Sequence, residues 1–196
     1  MFYFYIFSET YPFWLLISAI LVSVWFFIFR PKWYYLGLGA IALVLAYFFE
    51  SLLETPVDLV IMLIFVAPVI EEIIKFLLTI QKKFQVNVKA GIGIGLGFAL
   101  FENALYFQDF SLAFPSMLLT VIVVREFTDP ILHSTTTSIA TRGWKKFRYV
   151  LLAILMHSTW NILTMSNNYT IIGLLTVLYA FILLFSGGKI YELLHS

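Results

Sequence analysis

The stretch Gly91-Ile-Gly-Ile-Gly-Leu-Gly97-Phe98-Ala-Leu-Phe-Glu102-Asn103-Ala-Leu-Tyr106 admits two very different folds. A glycine-rich run that opens a helix can mark a phosphate-binding loop in an α/β domain. This one carries neither the dinucleotide fingerprint nor the P-loop pattern. As a membrane helix it makes sense throughout: Gly91/Gly95 and Gly93/Gly97 are small-xxx-small pairs that let neighbouring helices approach closely. Phe98, Glu102 and Tyr106 then share one face at i, i+4 and i+8. The second reading sets the fold class as all-α.

The rest of the chain agrees. It is 62% hydrophobic and 12% charged over 196 residues, with a mean hydropathy of +0.96; a soluble domain is about half apolar and a quarter charged. The absence of cysteine excludes disulfides, a thiol nucleophile and cysteine metal ligands. The net charge of +1 speaks against a nucleic-acid partner. Glu9, and no Lys or Arg, precedes the first apolar run, which speaks against a cleaved signal peptide.

A helix needs about 20 apolar residues to cross the bilayer. Seven stretches qualify: 12–29, 34–53, 57–80, 89–107, 112–139, 148–165 and 170–186. The expected fold is therefore a multipass transmembrane helical bundle of about seven spans, a single domain over 1–196, in the cell membrane. Pro115 and Pro130 predict a kink or break in the fifth span. The aromatic segment 2–7 is too short to span and reads as interfacial. Arg30 and Lys32, then Lys82, Lys83 and Lys89, then Arg142, Lys145, Lys146 and Arg148, and finally Lys189 all fall on one side of this layout. The alternate loops carry Glu9, Glu54, Asp58 and Asp109 or no charge. The positive-inside rule then predicts an outside N-terminus and a cytoplasmic C-terminus.

Glu71, Glu72, Glu102, His133 and His157 lie within these apolar segments. An ionisable group there costs about 2.5–3.5 kcal/mol on insertion scales, so each needs a partner, water or a task. In Ala67-Pro-Val-Ile-Glu-Glu-Ile-Ile-Lys75 the two carboxylates point about 100° apart. Lys75 is within ion-pair reach of both. One carboxylate is explained by a structural pair with Lys75, and the second is not.

Glu102 could bond simply to a tyrosine or a water. Arg125, Asp129 and His133 share one face of the fifth span; Arg125 with Asp129 reads as structural, and Asp129 could also orient His133. His133 suits proton transfer or metal binding. His157 and Asn161, at i and i+4, could hold an oxyanion or make an interhelical hydrogen bond. The hydroxyls at Ser134, Thr135, Thr136, Thr137 and Ser138 are expected to bond to backbone. His195 reads as solvated. At 1.5 Å per residue, Glu71, His133 and His157 lie roughly 10–15 Å from their cytoplasmic helix ends and Glu102 about 20 Å. Four helices thus bring acids, bases and amide donors into one slab, as a buried aqueous site requires.

These motifs, in this order, resemble the PrsW family of intramembrane proteases, within the larger group that includes CAAX-processing and bacteriocin-processing enzymes. The matching residues are Glu71-Glu72-x-x-Lys75, Gly97-Phe98-x-x-x-Glu102-Asn103-x-x-Tyr106, Pro130-x-x-His133 and His157-x-x-Trp160-Asn161. They cover about residues 66–162, inside a catalytic core of about 57–165. One place departs: the family often has an acidic residue and a glycine before the glycine-rich helix, where this chain reads Val86-Asn-Val-Lys89-Ala90-Gly91.

The resemblance implies an intramembrane endopeptidase with Glu71, Glu72, Glu102, His133, His157 and Asn161 in the catalytic set. Glu71, with His133 or Glu102, would position the attacking water; His157 and Asn161 would bind the oxyanion or help hold a metal. Lys75, Tyr106, Arg125 and Asp129 would support the site. Glu71, Glu102, His133 and His157 could ligate Zn2+ with an open position; a metal-free glutamate mechanism is the other possibility. No His-Glu-x-x-His, no Gly-x-Ser-x-Gly and no membrane aspartate pair of the Gly-x-Gly-Asp kind is present.

The partner implied is a membrane-protein substrate such as a single-pass anti-sigma factor. That role implies a cut on the outer side, whereas the depth count places the site nearer the cytoplasm. A rival expectation is a proton- or cation-coupled transporter using the same groups, although no repeated halves are visible.

Overall fold

A computed structural model describes residues 10–53, 57–80, 88–144, 146–166 and 169–186. The segment 2–7, Glu9, Glu54, Lys82, Lys83, Val86, Asn87, Lys145, Lys189 and His195 lie outside the described residues. Those described form helices and turns. They are α1 (Tyr11–Phe29), α2 (Tyr34–Leu53), α3 (Leu59–Ile61), α4 (Ala67–Thr79), α5 (Val88–Ala113), α6 (Leu118–Ala140), α7 (Arg148–Met165) and α8 (Tyr169–Ser186). A π-helical turn, Met62–Val66, joins α3 to α4.

The stretch 57–80 is thus a composite. Asp58 caps its start by accepting from the Val60 and Ile61 amides at 2.9 and 3.4 Å. The wide turn follows, and α4 begins at Ala67 with Pro68 in its first turn. The stretch 112–139 also differs from the expected span: α5 runs on to Ala113, Pro115 starts a short 3-10 turn, and α6 begins at Leu118. Pro130 does not end α6. Its missing N–H leaves the Glu126 carbonyl without a helical donor, and the Trp25 indole fills that place at 3.1 Å. A neighbouring helix has repaired the defect that the sequence shows.

Helix α5 is the centre of the bundle and packs against α1, α2 and α6. Of its apolar window 83% is buried, against 22% for α1 and for α2, so α5 is hidden behind the others. The glycines set how close it comes. Gly91 and Gly95 face α6 and Gly93 and Gly97 face α2, as the paired spacing predicts. A Cβ on Gly95 would strike the His133 carbonyl. Gly95→Ala should therefore force α6 outward at His133, at a cost of about 1–3 kcal/mol. Gly37→Ala, with nothing within 4 Å of the added atom, should be neutral or stabilising. Thermal unfolding of the two variants in detergent checks this: equal melting temperatures would show that the contact does not limit helix approach.

Apart from the buried apolar clusters around α5, many large apolar residues point outward. Phe13, Ile20 and Phe27 on α1, Val44 and Phe48 on α2, Leu155 on α7 and Leu174, Val177 and Phe181 on α8 are all exposed. Glu71, Glu72, Lys75, Asn103, Gln108, His133 and His157 are buried. An apolar exterior around a polar centre suits lipid, not water. Among the described residues Tyr11–Phe29, Tyr34–Leu53 and Val88–Asp109 are long and apolar enough to cross a membrane; Thr170–Phe185 is apolar but shorter.

Candidate active site

Lys75 is the node of the site. Its side chain is fully buried, and its ammonium makes three polar contacts: Glu72 Oε1 at 2.7 Å, His133 Nδ1 at 3.0 Å and Glu71 Oε2 at 3.4 Å. It also lies 4.2 Å from the centre of the Phe98 ring. An ammonium has only donors, so His133 Nδ1 must accept. In the neutral ring, Nε2 then carries the hydrogen and donates to Glu102 Oε2 at 3.1 Å. Both ring nitrogens of His133 are committed.

Glu102 is held in turn by Arg125 Nη2 at 3.0 Å. Arg125 Nε donates to Asn103 Oδ1 at 3.0 Å, and Nη2 pairs with Asp129 Oδ2 at 2.6 Å. The guanidinium lies 3.6 Å from the centre of the Tyr106 ring. Glu102, on another helix, is therefore what orients His133, while Asp129 is engaged by Arg125 as the one-face pairing predicts.

The adjacent glutamates have separate environments, as their 100° offset requires. Glu72 is fully buried, and its Oε1 receives Lys75, His157 Nδ1 at 2.9 Å and Thr136 Oγ1 at 3.0 Å. Thr136 thus has a side-chain partner that its place in a hydroxyl run did not foretell. Glu71 is held more loosely: its Oε2 is 3.4 Å from Lys75 and 3.9 Å from His157 Nδ1. The rings of His133 and His157 meet edge to face at 5.1 Å.

A cavity of about 560 Å³ opens onto this cluster. Glu71, Glu102, His133, His157 and Asn161 line it, together with Phe98, Tyr106, Arg125 and Asp129; Glu72 and Lys75 sit behind the wall. Tyr47 and Glu50 of α2 line it too, and sequence reasoning missed both. The signal for Glu50 was present, because it is an ionisable residue inside the apolar run 34–53.

Asn161 has a partner of its own. In the π turn the Ala67 amide bonds to Met62, and Pro68 has no amide to offer. The Leu63 carbonyl therefore lacks a helical donor, and Asn161 Nδ2 donates to it at 2.8 Å. One amide hydrogen and the carbonyl oxygen of Asn161 remain for the cavity. Asn161→Ala should strand the Leu63 carbonyl and cost about 1–3 kcal/mol, read as a lowered melting temperature. An unchanged melt would mean that water replaces the amide.

The donor set also suits a divalent ion. One donor atom each from Glu71, Glu72, His133 and His157 lies within 4.8 Å of the others. Two carboxylates and two imidazoles are acceptable zinc ligands, and Glu72 Oε2 is buried without a hydrogen-bond partner. Glu72 takes the place that the sequence reading gave Glu102, which is occupied by His133 and Arg125. Lys75 reaches three of the same four residues, so its ammonium and a metal ion are alternative counter-charges for them.

Buried carboxylates beside two imidazoles, lining a cavity of a lipid-suited bundle, are the residue types that hydrolytic sites use. No curated protein and no solved structure matches the chain. The sequence does match the family described as PrsW family intramembrane metalloprotease, over residues 11–186. That match runs from α1 to α8 and takes in every residue of the cavity wall: the chain belongs to the PrsW family of intramembrane metalloproteases.

Proposed function

We propose that the protein is an endopeptidase that cuts a single-pass membrane protein, an anti-sigma factor or similar regulator, from the outer side of the cell membrane. The observation that carries this reading is the contrast between the two glutamates. Glu72 is sealed behind the wall with three donors on one oxygen, whereas Glu71 lines the cavity with only long contacts to Lys75 and His157. Glu71 is thereby the available base.

A water beside Glu71 gives it a proton and attacks the scissile carbonyl. The new C–O bond forms, and the carbonyl oxygen becomes an oxyanion. His157, protonated with Nδ1–H on Glu72, directs Nε2–H at that oxyanion, and Glu72 balances the imidazolium charge. Asn161 supplies its second amide hydrogen. The C–N bond then breaks as Glu71 returns the proton to the leaving nitrogen. A Zn2+ held by Glu71, Glu72, His133 and His157 would supply a polarised water.

The side of access is supported by two gradients that run in opposite directions. Ser51, Leu59, Thr120, Val124, Thr164 and Met165 are the exposed members of the cavity wall, and they sit at the end of α2, the start of α3, the first two turns of α6 and the end of α7. Arg30, Lys32, Lys89, Arg142, Lys146 and Arg148 sit at or beyond the opposite helix ends. With seven spans and basic residues inside, the mouth faces outward and the floor lies deep. A cavity entered from outside removes the conflict between an outer cut and a site nearer the cytoplasm.

The test is proteolysis in liposomes against a panel of single-pass substrates, with fragments read by mass spectrometry. A defined cut in the outer part of the substrate span is expected; no cut across the panel would overturn the reading in favour of ion transport. Loss of cleavage with a chelator and recovery with Zn2+ would assign water activation to the metal, and chelator-resistant cleavage would assign it to Glu71.

A further inference from the structure

The charges on the cavity wall do not balance. Glu50, Glu71, Glu102 and Asp129 line it, with Arg125 as the lining guanidinium. Arg125 pairs with both Glu102 and Asp129, and Lys75 reaches Glu71 through the wall. Glu50 is different. Its Oε1 is buried with no hydrogen-bond partner, and among the described residues no cation pairs with it. A carboxylate in such surroundings is costly unless something brings it a donor.

The position of Glu50 narrows what that donor is. It lies three residues before the end of α2 at Leu53, so about 5 Å from the helix end at 1.5 Å per residue. That places it at the mouth, between the exposed Ser51 and the deeper Tyr47. The same cavity wall carries the apolar side chains of Leu59, Met62, Leu63, Val121 and Val124. A wall that combines apolar side chains with an unpaired carboxylate matches a side chain with an aliphatic stem and a cationic head.

Building on the protease reading, we propose that Glu50 is a specificity-determining residue that pairs with a Lys or Arg side chain of the substrate on the mouth side of the scissile bond. The pair compensates Glu50 only while substrate is bound. A substrate acid in the same place would meet a wall already rich in carboxylates and be rejected, so selection works by attraction and by repulsion together.

The experiment uses the full chain in liposomes and a single-pass substrate cut by the wild type. Leu, Lys or Glu is placed in turn at each residue on the mouth side of the cut. At one of these positions the wild type should cut the Lys substrate about tenfold faster than the Leu substrate, and the Glu substrate most slowly. In Glu50→Gln the Lys-to-Leu ratio should fall to about one. In Glu50→Lys, a second and independent variant, the Glu substrate should become the preferred one. Melting temperatures confirm that both variants are folded.

A wild type that cuts the Leu substrate but shows no charge preference at any position overturns the role of Glu50 and leaves the protease reading standing. A preference unchanged in Glu50→Gln does the same. A wild type that cuts no substrate at all overturns the protease reading, and this one with it.

Discussion

Glu71→Gln is expected to lower the cleavage rate by about 10²–10⁴-fold, the usual contribution of a positioned general base, with little change in melting temperature. The two halves of that result follow from one geometry. Glu71 lines the cavity, and its contact with Lys75 is the longest polar contact that the ammonium makes, at 3.4 Å. Glutamine keeps the shape and an oxygen for Lys75 but cannot take a proton from water. Glu72→Gln should behave differently, because Glu72 Oε1 carries Lys75, His157 and Thr136. Its loss removes a buried counter-ion and should lower both stability and rate. Rates and melting temperatures for the pair of variants separate a base from a positioning carboxylate. Cleavage by Glu71→Gln within a few-fold of wild type would remove Glu71 from the chemistry.

How far the sequence carries toward this site depends on what kind of interaction is involved. Intrahelical relations are legible. The spacings of Phe98, Glu102 and Tyr106, of Arg125, Asp129 and His133, and of His157 and Asn161 each predict a shared face, and all eight residues do line one cavity. The glycine pairs predict close helix approach for the same reason, and α2 and α6 lie against them.

Interhelical relations are not legible, because i, i+4 arithmetic says nothing about which face meets which. Asp129, besides pairing with Arg125, is positioned by spacing to orient His133 on its own helix, yet Glu102 reaches across from α5 to take that place. Thr136 reads as a backbone-bonding hydroxyl, yet it also reaches Glu72. The partner of Asn161 depends on a π turn that no residue pattern announces, so its bond to Leu63 could not be foreseen. Glu50 was missed for a different reason. It stands near the end of its apolar run, where a charge is ordinarily explained by the interface, and only the cavity shows that it faces inward.

Lys75→Met should be the most destabilising of the conservative substitutions in the site. The side chains are of similar length, but methionine has no donors. Glu72 would lose its cation, Glu71 the ammonium at 3.4 Å, and His133 Nδ1 the hydrogen bond that fixes its tautomer. Breaking a buried ion pair from one side costs about 3–5 kcal/mol, since the remaining charge has no solvent to turn to. At about 2–4 °C per kcal/mol for a chain of this size, the melting temperature should fall by roughly 10 °C. Lys75→Arg should not restore it, because a planar guanidinium cannot reproduce three contacts diverging from one nitrogen. The double variant Lys75→Met with Glu72→Gln should recover much of the loss, since it removes the stranded charge together with its partner. It should still cleave slowly, because His157 then lacks the carboxylate that balances its charged form. Recovery of stability without recovery of rate would separate what the Lys75–Glu72 pair does for the fold from what it does for the reaction. A double variant as unstable as Lys75→Met alone would instead place the cost in packing against Phe98, which lies 4.2 Å from the ammonium.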